Sequence, residues 1–263
     1  MTPYTLQRGD GPVLLAMPHT GTWLPPQIIA RLNPRGQTLS DTDWHIERLY
    51  DGLLPGATIL RANFHRYVID ANRPPDDANL YPGQNTTGLF PLTDFDGNPI
   101  WTEPPSAEEF AARLRDYHVA YHAVLAEELA RLRAQHGVAI LYDCHSIRSY
   151  IPRLFDGILP DFNIGTADGT SCATAVEAAV QTVCARCEGY SHVVNGRFKG
   201  GWTTRHYGRP SDGIHAIQME LAQSTHLAQE VPPFTYDEDK AARLRPILAD
   251  ILHHLADLAP SLR

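Results

Sequence analysis

Apolar runs that alternate with helical stretches are the feature that most constrains the fold of this chain. Val13–Met17 and residues 138–142 are apolar throughout, and residues 214–221 are mostly so. Their lengths suit strands, and a strand that is apolar on both faces is typical of a parallel sheet covered by helices. Long helical stretches lie between these runs. We therefore expect an α/β fold in which a mostly parallel, mixed sheet carries helices on both faces.

Further elements follow from apolar periodicity and from capping residues. Ser40 or Asp41 is a good N-cap for the first helix, and Ser106 with Glu109 forms a capping-box pattern at the second. Residues 74–105 are rich in Pro, Gly, Asn and Asp, and a loop of this length is often functional. The further predicted strands are 57–62, 67–70 and 191–194, and the predicted helices are 40–50, 106–135, 171–187 and 237–258.

Composition limits the class of protein. The chain has 263 residues, of which 43% are hydrophobic and 20% charged, and such a chain can bury one substantial core. Neither a repeat nor a linker is visible, so 1–263 is expected to form a single domain. The formal net charge of −8 argues against nucleic acid or an anionic membrane as the main partner. The oligomeric state is left open.

Targeting signals and cysteines favour a cytoplasmic protein. No apolar run approaches the roughly 20 residues that span a bilayer, and the first residues lack a signal-peptide pattern. Four cysteines are too few for a disulfide framework in a chain of this size, so a reducing compartment is expected. Cys184 and Cys187 form a CxxC, but no second CxxC follows. We interpret the pair as ordinary helix cysteines.

Four polar side chains lie at the ends of predicted strands or close after them. His19 and His145 follow two apolar runs, Asp43 lies in the first turn of the next predicted helix, and Glu220 closes the run 214–221. Each alone could be structural. Together they match a catalytic zinc site, in which two histidines and a carboxylate hold the metal and another carboxylate moves a proton. Ligands of α/β sheets bind at the carboxyl ends of strands, where these residues are expected.

Other catalytic motifs are absent from the sequence. It contains no GxSxG, no GxxxxGK[ST] and no GxGxxG, so a serine nucleophile and a nucleotide-phosphate site lack support. HExxH is absent too, so the metal ligands must come from distant segments. Nitrogen and oxygen ligands also suit Mn, Fe or Co, and the native metal is left open.

Several arginines could bind an acidic substrate. Asn72 and Arg73 come just after the predicted strand 67–70, and a guanidinium group suits a carboxylate. Residues 200–205 form a glycine-rich loop that could close on a small ligand. The alternative is that most of these arginines pair with internal Asp or Glu. The further candidates are Arg66, Arg148, Arg153 and Arg205.

The chain resembles the N-formylglutamate amidohydrolases. The matching motifs are PHTGTWLP, SDTDWHIERLY, NFHRYVIDANRPP, LYDCHSIR, FNIGT, NGRFKGGWTTRHYG and IHAIQMELAQ. They extend from about residue 13 to 225. The resemblance implies hydrolysis of N-formyl-L-glutamate to formate and L-glutamate, in histidine degradation. It also implies a fold similar to the zinc carboxypeptidases and the zinc-dependent cell-wall amidases.

The resemblance implies the metal ligands. His19, Asp43 and His145 would hold zinc. The carboxypeptidases take two ligands from one HxxE segment, whereas His19 is followed at that spacing by Thr22. The third ligand therefore rests on Asp43, with Asp41 as the alternative.

The resemblance also implies the remaining roles. Glu220 would act as the general base and acid, and Asn72 with Arg73 would bind a substrate carboxylate. A dianionic substrate needs a second cation, for which the candidates are Arg205, ranked first, Arg148 and Arg153. Independently of the resemblance, the position of Asp143 just before His145 suggests that it either orients a ligand imidazole or accepts backbone hydrogen bonds.

Two other functions remain open on the sequence. One is the same chemistry on another N-acyl amino acid or a small peptide. The other is a non-catalytic α/β protein that binds acidic ligands through Arg73 and its neighbours.

Overall fold

A seven-stranded mixed sheet forms the centre of the computed structural model, which describes residues 1–262. The strands are β1 Tyr4–Gln7, β2 Val13–Met17, β3 Thr58–Ala62, β4 Ala139–Ile147, β5 Phe162–Gly165, β6 His192–Val194 and β7 Ile214–Ala222. Their order across the sheet is β1-β3-β2-β4-β7-β5-β6. β1 runs antiparallel to β3, and β5 runs antiparallel to β7, whereas the other neighbours are parallel. The predicted mixed α/β sheet is confirmed.

Helices cover both faces of this sheet. The helices are α1 Pro26–Ile29, α2 Ile46–Tyr50, α3 Ala107–Arg113, α4 Ala120–His136, α5 Thr174–Arg186, α6 Trp202–Tyr207 and α7 Glu238–Leu258. A π-helical turn over Leu114–Val119 joins α3 to α4, and short 3₁₀ turns lie at Gly36–Thr38, Pro210–Asp212, Gln223–Thr225 and Ala259–Leu262. Within residues 1–262, no helix is both long and apolar enough to cross a membrane.

The alternation of side chains along β2 assigns its residues to two cores. Val13, Leu15 and Met17 pack in the core that α2, α5 and α7 cover. Leu14 and Ala16 pack in the opposite core, which includes residues of α1 and α4. The strand is apolar throughout because both of its faces are buried.

The long C-terminal helix shows how local pattern and packing agree. The Asp237 carboxylate caps α7 by accepting a hydrogen bond from the backbone N–H of Lys240 at 3.0 Å. Leu244, Leu248 and Leu255 are fully buried on one face of the helix. Their spacing of four and seven residues makes the apolar stripe that packs against the sheet.

β4 is longer than the sequence predicted. It continues past Tyr142 to Ile147, and its pairing with β7 places His145 directly opposite Glu220. Asp143 and His145 therefore lie within a strand and not beyond its end. Cys144 points to the other face and is buried in the core, as the alternation of a strand requires.

Two predicted elements are wrong. The helix predicted at 40–50 begins only at Ile46, because the chain turns before it and His45 has a left-handed φ of 62°. Residues 67–70 form no strand: residues 66–68 form a turn, in which the Val68 N–H donates to the carbonyl of His65, and residues 69–70 belong to no helix or strand. This segment is apolar because it is buried, not because it pairs in the sheet. The loop predicted at 200–205 is also wrong in part, because α6 begins at Trp202. β1, β5 and α1 were not predicted.

Candidate metal centre

His19, Asp43 and His145 meet at the carboxyl edge of the sheet. One ligand-type atom from each lies within 4.8 Å of the others, and all three side chains are buried. Asp43 Oδ2 is 3.7 Å from His19 Nδ1 and 3.1 Å from His145 Nδ1. The structure thus brings together the three residues that the sequence singled out as metal ligands.

Backbone contacts explain how Asp43 reaches this edge from a different segment. Its N–H donates to the carbonyl oxygen of His19 at 3.1 Å, which ties the turn before α2 to the loop after β2. Its Oδ2 accepts the backbone N–H of Ser146 at 3.2 Å. The left-handed conformation of His45 then turns the chain into α2. The backbone of Asp43 is therefore tied to the loop after β2, and its carboxylate to the end of β4.

A carboxylate orients each of the two imidazoles. His19 Nε2 lies 2.7 Å from Asp70 Oδ1, and His145 Nε2 lies 3.0 Å from Asp143 Oδ1. Both Nδ1 atoms therefore face Asp43. A carboxylate behind the imidazole is the usual partner of a metal-binding histidine.

Asn72 offers a competing contact, because its Nδ2 is 3.1 Å from the Nε2 atom of His145. An imidazole that binds a metal through Nδ1 carries its proton on Nε2. Asn72 Nδ2 is itself a donor, so only the Asp143 carboxylate can accept a hydrogen bond from that N–H.

The polar atoms left over fit a divalent cation. His19 Nδ1 is buried and has no hydrogen-bond partner. Arg66 contacts Asp43 Oδ1 at 2.9 Å and Asp70 Oδ2 at 3.7 Å. The guanidinium group of this one arginine therefore pairs with two of the buried acidic groups. Buried charge is costly unless it is paired. The acidic groups buried around this point are Asp43, Asp70, Asp143 and Glu220.

The electrostatics of the site separate the two kinds of carboxylate. Burial raises the pKa of Glu220 to about 8, although nearby His145 opposes this. Burial would also raise the pKa of Asp43. Contacts from His145, His19 and Arg66 outweigh burial and lower the pKa of Asp43 well below its ordinary value. One group therefore remains a carboxylate, and the other can hold a proton near neutral pH.

The pKa of His145, like that of Asp43, is set by neighbouring charges that outweigh burial. Burial would lower the pKa of its imidazole, but the charges of Asp143 and Asp43 outweigh burial and raise this pKa well above its ordinary value. The site therefore favours positive charge at this position.

A cavity opens beside these residues and carries two arginines without carboxylate partners. His19, His145 and Glu220 line it together with Arg73 and Arg197. Among the described residues, neither arginine forms a salt bridge. Arg73 Nη2 donates to the hydroxyl of Thr86, and Arg197 donates to the carbonyl oxygens of Leu154 and Asn85. Both charges can therefore bind an acidic ligand.

The sequence belongs to a known family. A family model described as N-formylglutamate amidohydrolase matches residues 11–227. This chain is an N-formylglutamate amidohydrolase family member. An N-formylglutamate deformylase from Pseudomonas aeruginosa is 51% identical over 95% of both chains. Another from Pseudomonas putida is 50% identical over 95% of this chain and 94% of its own.

A solved structure agrees with the fold of this family. It is described as N-formylglutamate amidohydrolase from Ralstonia eutropha JMP134 and is 25% identical. Its TM-score is 0.82, and the match covers 100% of this chain and 99% of that one. The arrangement of the sheet and helices therefore extends to distant sequences of the family.

Three arginines that the sequence proposed as a second substrate cation lie outside this cavity. Arg205, Arg148 and Arg153 do not line the cavity, and their proposed role stays a prediction. Arg205 Nε donates to the carbonyl of Gly200 at 2.8 Å, and Arg148 lies 3.1 Å from Asp96. Arg197, which the sequence analysis missed, lines the cavity instead. Its only signal was its place in the motif NGRFKGG.

The alternative ligand Asp41 lies outside the metal cluster. Its Oδ2 accepts hydrogen bonds from the Tyr67 hydroxyl at 2.9 Å and from the backbone N–H of Phe95 at 3.0 Å. Burial raises the pKa of Asp41 to about 7. The geometry thus favours Asp43 as the third ligand.

Proposed function

We propose that this chain is a zinc-dependent N-formylglutamate deformylase that hydrolyses N-formyl-L-glutamate to formate and L-glutamate, as a step of histidine degradation in the cytoplasm. The observation that carries this proposal is the juxtaposition of a histidine–carboxylate cluster with two arginines that lack carboxylate partners. The identity of about one half to proteins named N-formylglutamate deformylase supports the substrate.

The metal would be held by His19 Nδ1, His145 Nδ1 and a carboxylate oxygen of Asp43. These donors suit zinc, and also Mn, Fe or Co. A bound divalent metal supplies Lewis-acid activation of water near neutral pH. Asp70 and Asp143 keep the two imidazoles turned towards the site.

Glu220 would move the proton. It lies opposite His145 on the neighbouring strand, and it lines the cavity in which a substrate would bind. Its carboxylate takes a proton from the water that attacks the formyl carbon. It then gives that proton to the nitrogen that becomes the amine of glutamate. A pKa that burial raises to about 8 suits a group that must both accept and donate a proton near neutral pH.

Arg73 and Arg197 would bind the two carboxylates of the substrate. Each guanidinium group can form a charge-assisted hydrogen bond, and two such groups match a dianion. The amide of Asn72 also lines the cavity, but its oxygen accepts the backbone N–H of Thr203 at 2.8 Å. Asn72 would therefore support the position of Arg73 and would contact substrate through its NH₂ group.

Release of formate from N-formyl-L-glutamate tests this proposal. Protein stripped of metal by a chelator should lose activity and regain it with zinc. Glu220→Gln should keep the metal and lose activity by about 10²- to 10⁴-fold, since the proton transfer is removed. The exposed Glu188 provides a matched control, because Glu188→Gln makes the same change on the surface. Full activity without a divalent metal, or in Glu220→Gln, rules the mechanism out.

A further inference from the structure

The backbone of residues 71–73 belongs to no helix or strand, yet two buried imidazoles hold it. Nε2 of His122 donates a hydrogen bond to the carbonyl oxygen of Ala71 at 2.7 Å. Nε2 of His118 donates to the carbonyl oxygen of Arg73 at 2.9 Å. The two imidazoles thus fix the carbonyl groups of the two residues that flank Asn72.

The N-terminus of α6 holds Asn72, the residue between Ala71 and Arg73. The backbone N–H of Trp202 donates to the Asn72 carbonyl oxygen at 3.4 Å, and the backbone N–H of Thr203 donates to Asn72 Oδ1 at 2.8 Å. The Asn72 N–H in turn donates to Asp70 Oδ1 at 2.8 Å. Three consecutive carbonyl oxygens therefore accept hydrogen bonds from α4, the π-helical turn before it and α6.

The two imidazoles are rigid and neutral donors. His118 lies in the π-helical turn, and His122 lies one turn later in α4, with ring centroids 4.5 Å apart. The indole of Trp202 packs against both rings. Burial lowers the pKa of both histidines. They can therefore donate from Nε2 without adding positive charge beside Arg73.

Few contacts restrain the side chain of Arg73 itself. Its Nη2 donates to the hydroxyls of Thr86 and Thr87 at 2.8 and 3.4 Å, and its Nε is buried without a partner. No carboxylate among the described residues pairs with it. The position of its backbone therefore decides where the guanidinium group lies in the cavity.

We propose that His118 and His122 are positioning residues, which hold the backbone of residues 71–73 so that Arg73 meets a carboxylate of the substrate. The inference rests on the proposed function, because Arg73 is taken to bind that carboxylate. A π-helical turn is common at functional sites, and here it carries one of the two donors. Neither histidine contacts the metal ligands His19, Asp43 or His145 through a hydrogen bond among the described residues.

A purely structural role would look different in kinetics. Buried carbonyl groups need a partner, so loss of either histidine lowers stability in any case. A structural role alone leaves the KM of the folded enzyme unchanged. A positioning role raises KM, because Arg73 then binds the ground state and the transition state less well, and leaves kcat nearly unchanged.

The experiment compares His118→Leu with His118→Gln in the metal-loaded enzyme. Leu removes the donor, whereas the Gln amide nitrogen can reach the carbonyl of Arg73. We expect His118→Leu to raise the KM for N-formyl-L-glutamate about tenfold or more, with kcat within about twofold. His118→Gln should restore KM to within about threefold of the wild type. Metal content and thermal stability are measured on the same samples.

A double-mutant cycle with Arg73→Ala provides the decisive readout. Two residues that act through each other are not additive, so His118→Leu should raise KM no further once Arg73 is gone. Equal effects in both backgrounds overturn the inference, and so does an unchanged KM in His118→Leu. A wild-type protein that does not hydrolyse N-formyl-L-glutamate overturns the proposed function and the inference together. Activity in the wild type with additive effects overturns the inference alone.

Discussion

At the scale of single residues, the site is built from carboxylates that orient imidazoles. Asp70 and Asp143 each contact the Nε2 atom of a histidine, and the Nδ1 atoms of His19 and His145 face Asp43. The sequence identified the three central residues by their place near strand ends. It left open whether Asp143 orients a ligand imidazole or accepts backbone hydrogen bonds, because that depends on segments distant in sequence.

Asp143→Asn should weaken metal binding. The neutral amide accepts a weaker hydrogen bond from the imidazole N–H than the carboxylate does. His145 therefore becomes a poorer and less well oriented ligand. We expect the affinity for zinc to fall about 10- to 100-fold. Competition with a chelator of known affinity measures this change. An affinity equal to that of the wild type would show that Asp143 does not support the ligand.

Arg197→Met should weaken substrate binding. The change removes one of the two cavity arginines that lack a carboxylate partner, and with it the proposed charge-assisted hydrogen bond to the substrate. We expect the KM for N-formyl-L-glutamate to rise about 10- to 100-fold, with a smaller change in kcat. Steady-state kinetics measure both constants.

Arg148→Met is the matched control for this change. Arg148 pairs with Asp96 and does not line the cavity, so its loss should leave KM within about twofold. If Arg148→Met raised KM more than Arg197→Met did, Arg148 and not Arg197 would be the second residue that binds the substrate.

At the scale of elements, the exit of β7 fixes the turn that carries Asp43. Beyond the strand, Gln223 Nε2 donates to the carbonyl oxygen of Thr42 at 2.8 Å, and His226 Nε2 donates to that of Trp44 at 3.0 Å. Two side chains that follow the strand of Glu220 thus hold the peptide groups around Asp43. The strand that carries Glu220 and the turn that carries Asp43 are therefore directly connected.

His226 should make the stability depend on pH. Burial lowers the pKa of its imidazole to about 4. An unfolded chain takes up the proton near pH 6.5, so the unfolded state binds more protons between pH 6.5 and 4. The free energy of unfolding should therefore fall as pH decreases through this window, by up to about 3 kcal/mol.

Denaturant unfolding between pH 4 and 7 measures this dependence. His226→Gln keeps an N–H donor and cannot titrate, so its unfolding free energy should fall less steeply below pH 6.5. The exposed His253 provides the control, because His253→Gln should leave the slope of the wild type unchanged. Parallel slopes for the wild type and His226→Gln would contradict the prediction.

At the scale of the whole molecule, a segment outside the sheet completes the cavity. Tyr81, Thr86 and Thr87 line it from the loop that the sequence placed at 74–105. The Tyr81 hydroxyl donates to the carbonyl oxygen of Gly200 at 2.7 Å, so this loop is joined to the one before α6. The cavity is therefore enclosed by segments that are far apart in sequence.

The cavity should discriminate between substrates by the size of the acyl group and by the side-chain carboxylate. N-acetyl-L-glutamate carries one extra methyl group, which we expect to lower kcat/KM by about 10- to 200-fold. N-formyl-L-norvaline lacks the side-chain carboxylate, and its kcat/KM should fall further, because one arginine is then left without its partner. Steady-state assays with the three compounds compare these values. Equal rates on all three would indicate a broader N-acyl amidohydrolase.

The sequence by itself determined the α/β class and the candidate ligands, because apolar runs and residue chemistry are local properties. Val13–Met17 reads as a buried strand from its own side chains, and His19 follows it directly. The tertiary structure alone decided the length of β4, the absence of a strand at 67–70 and the position of Arg197, but not Arg205, in the lining of the cavity. Strand pairing and the direction of a long side chain depend on neighbours that are distant in sequence. No local pattern encodes those neighbours.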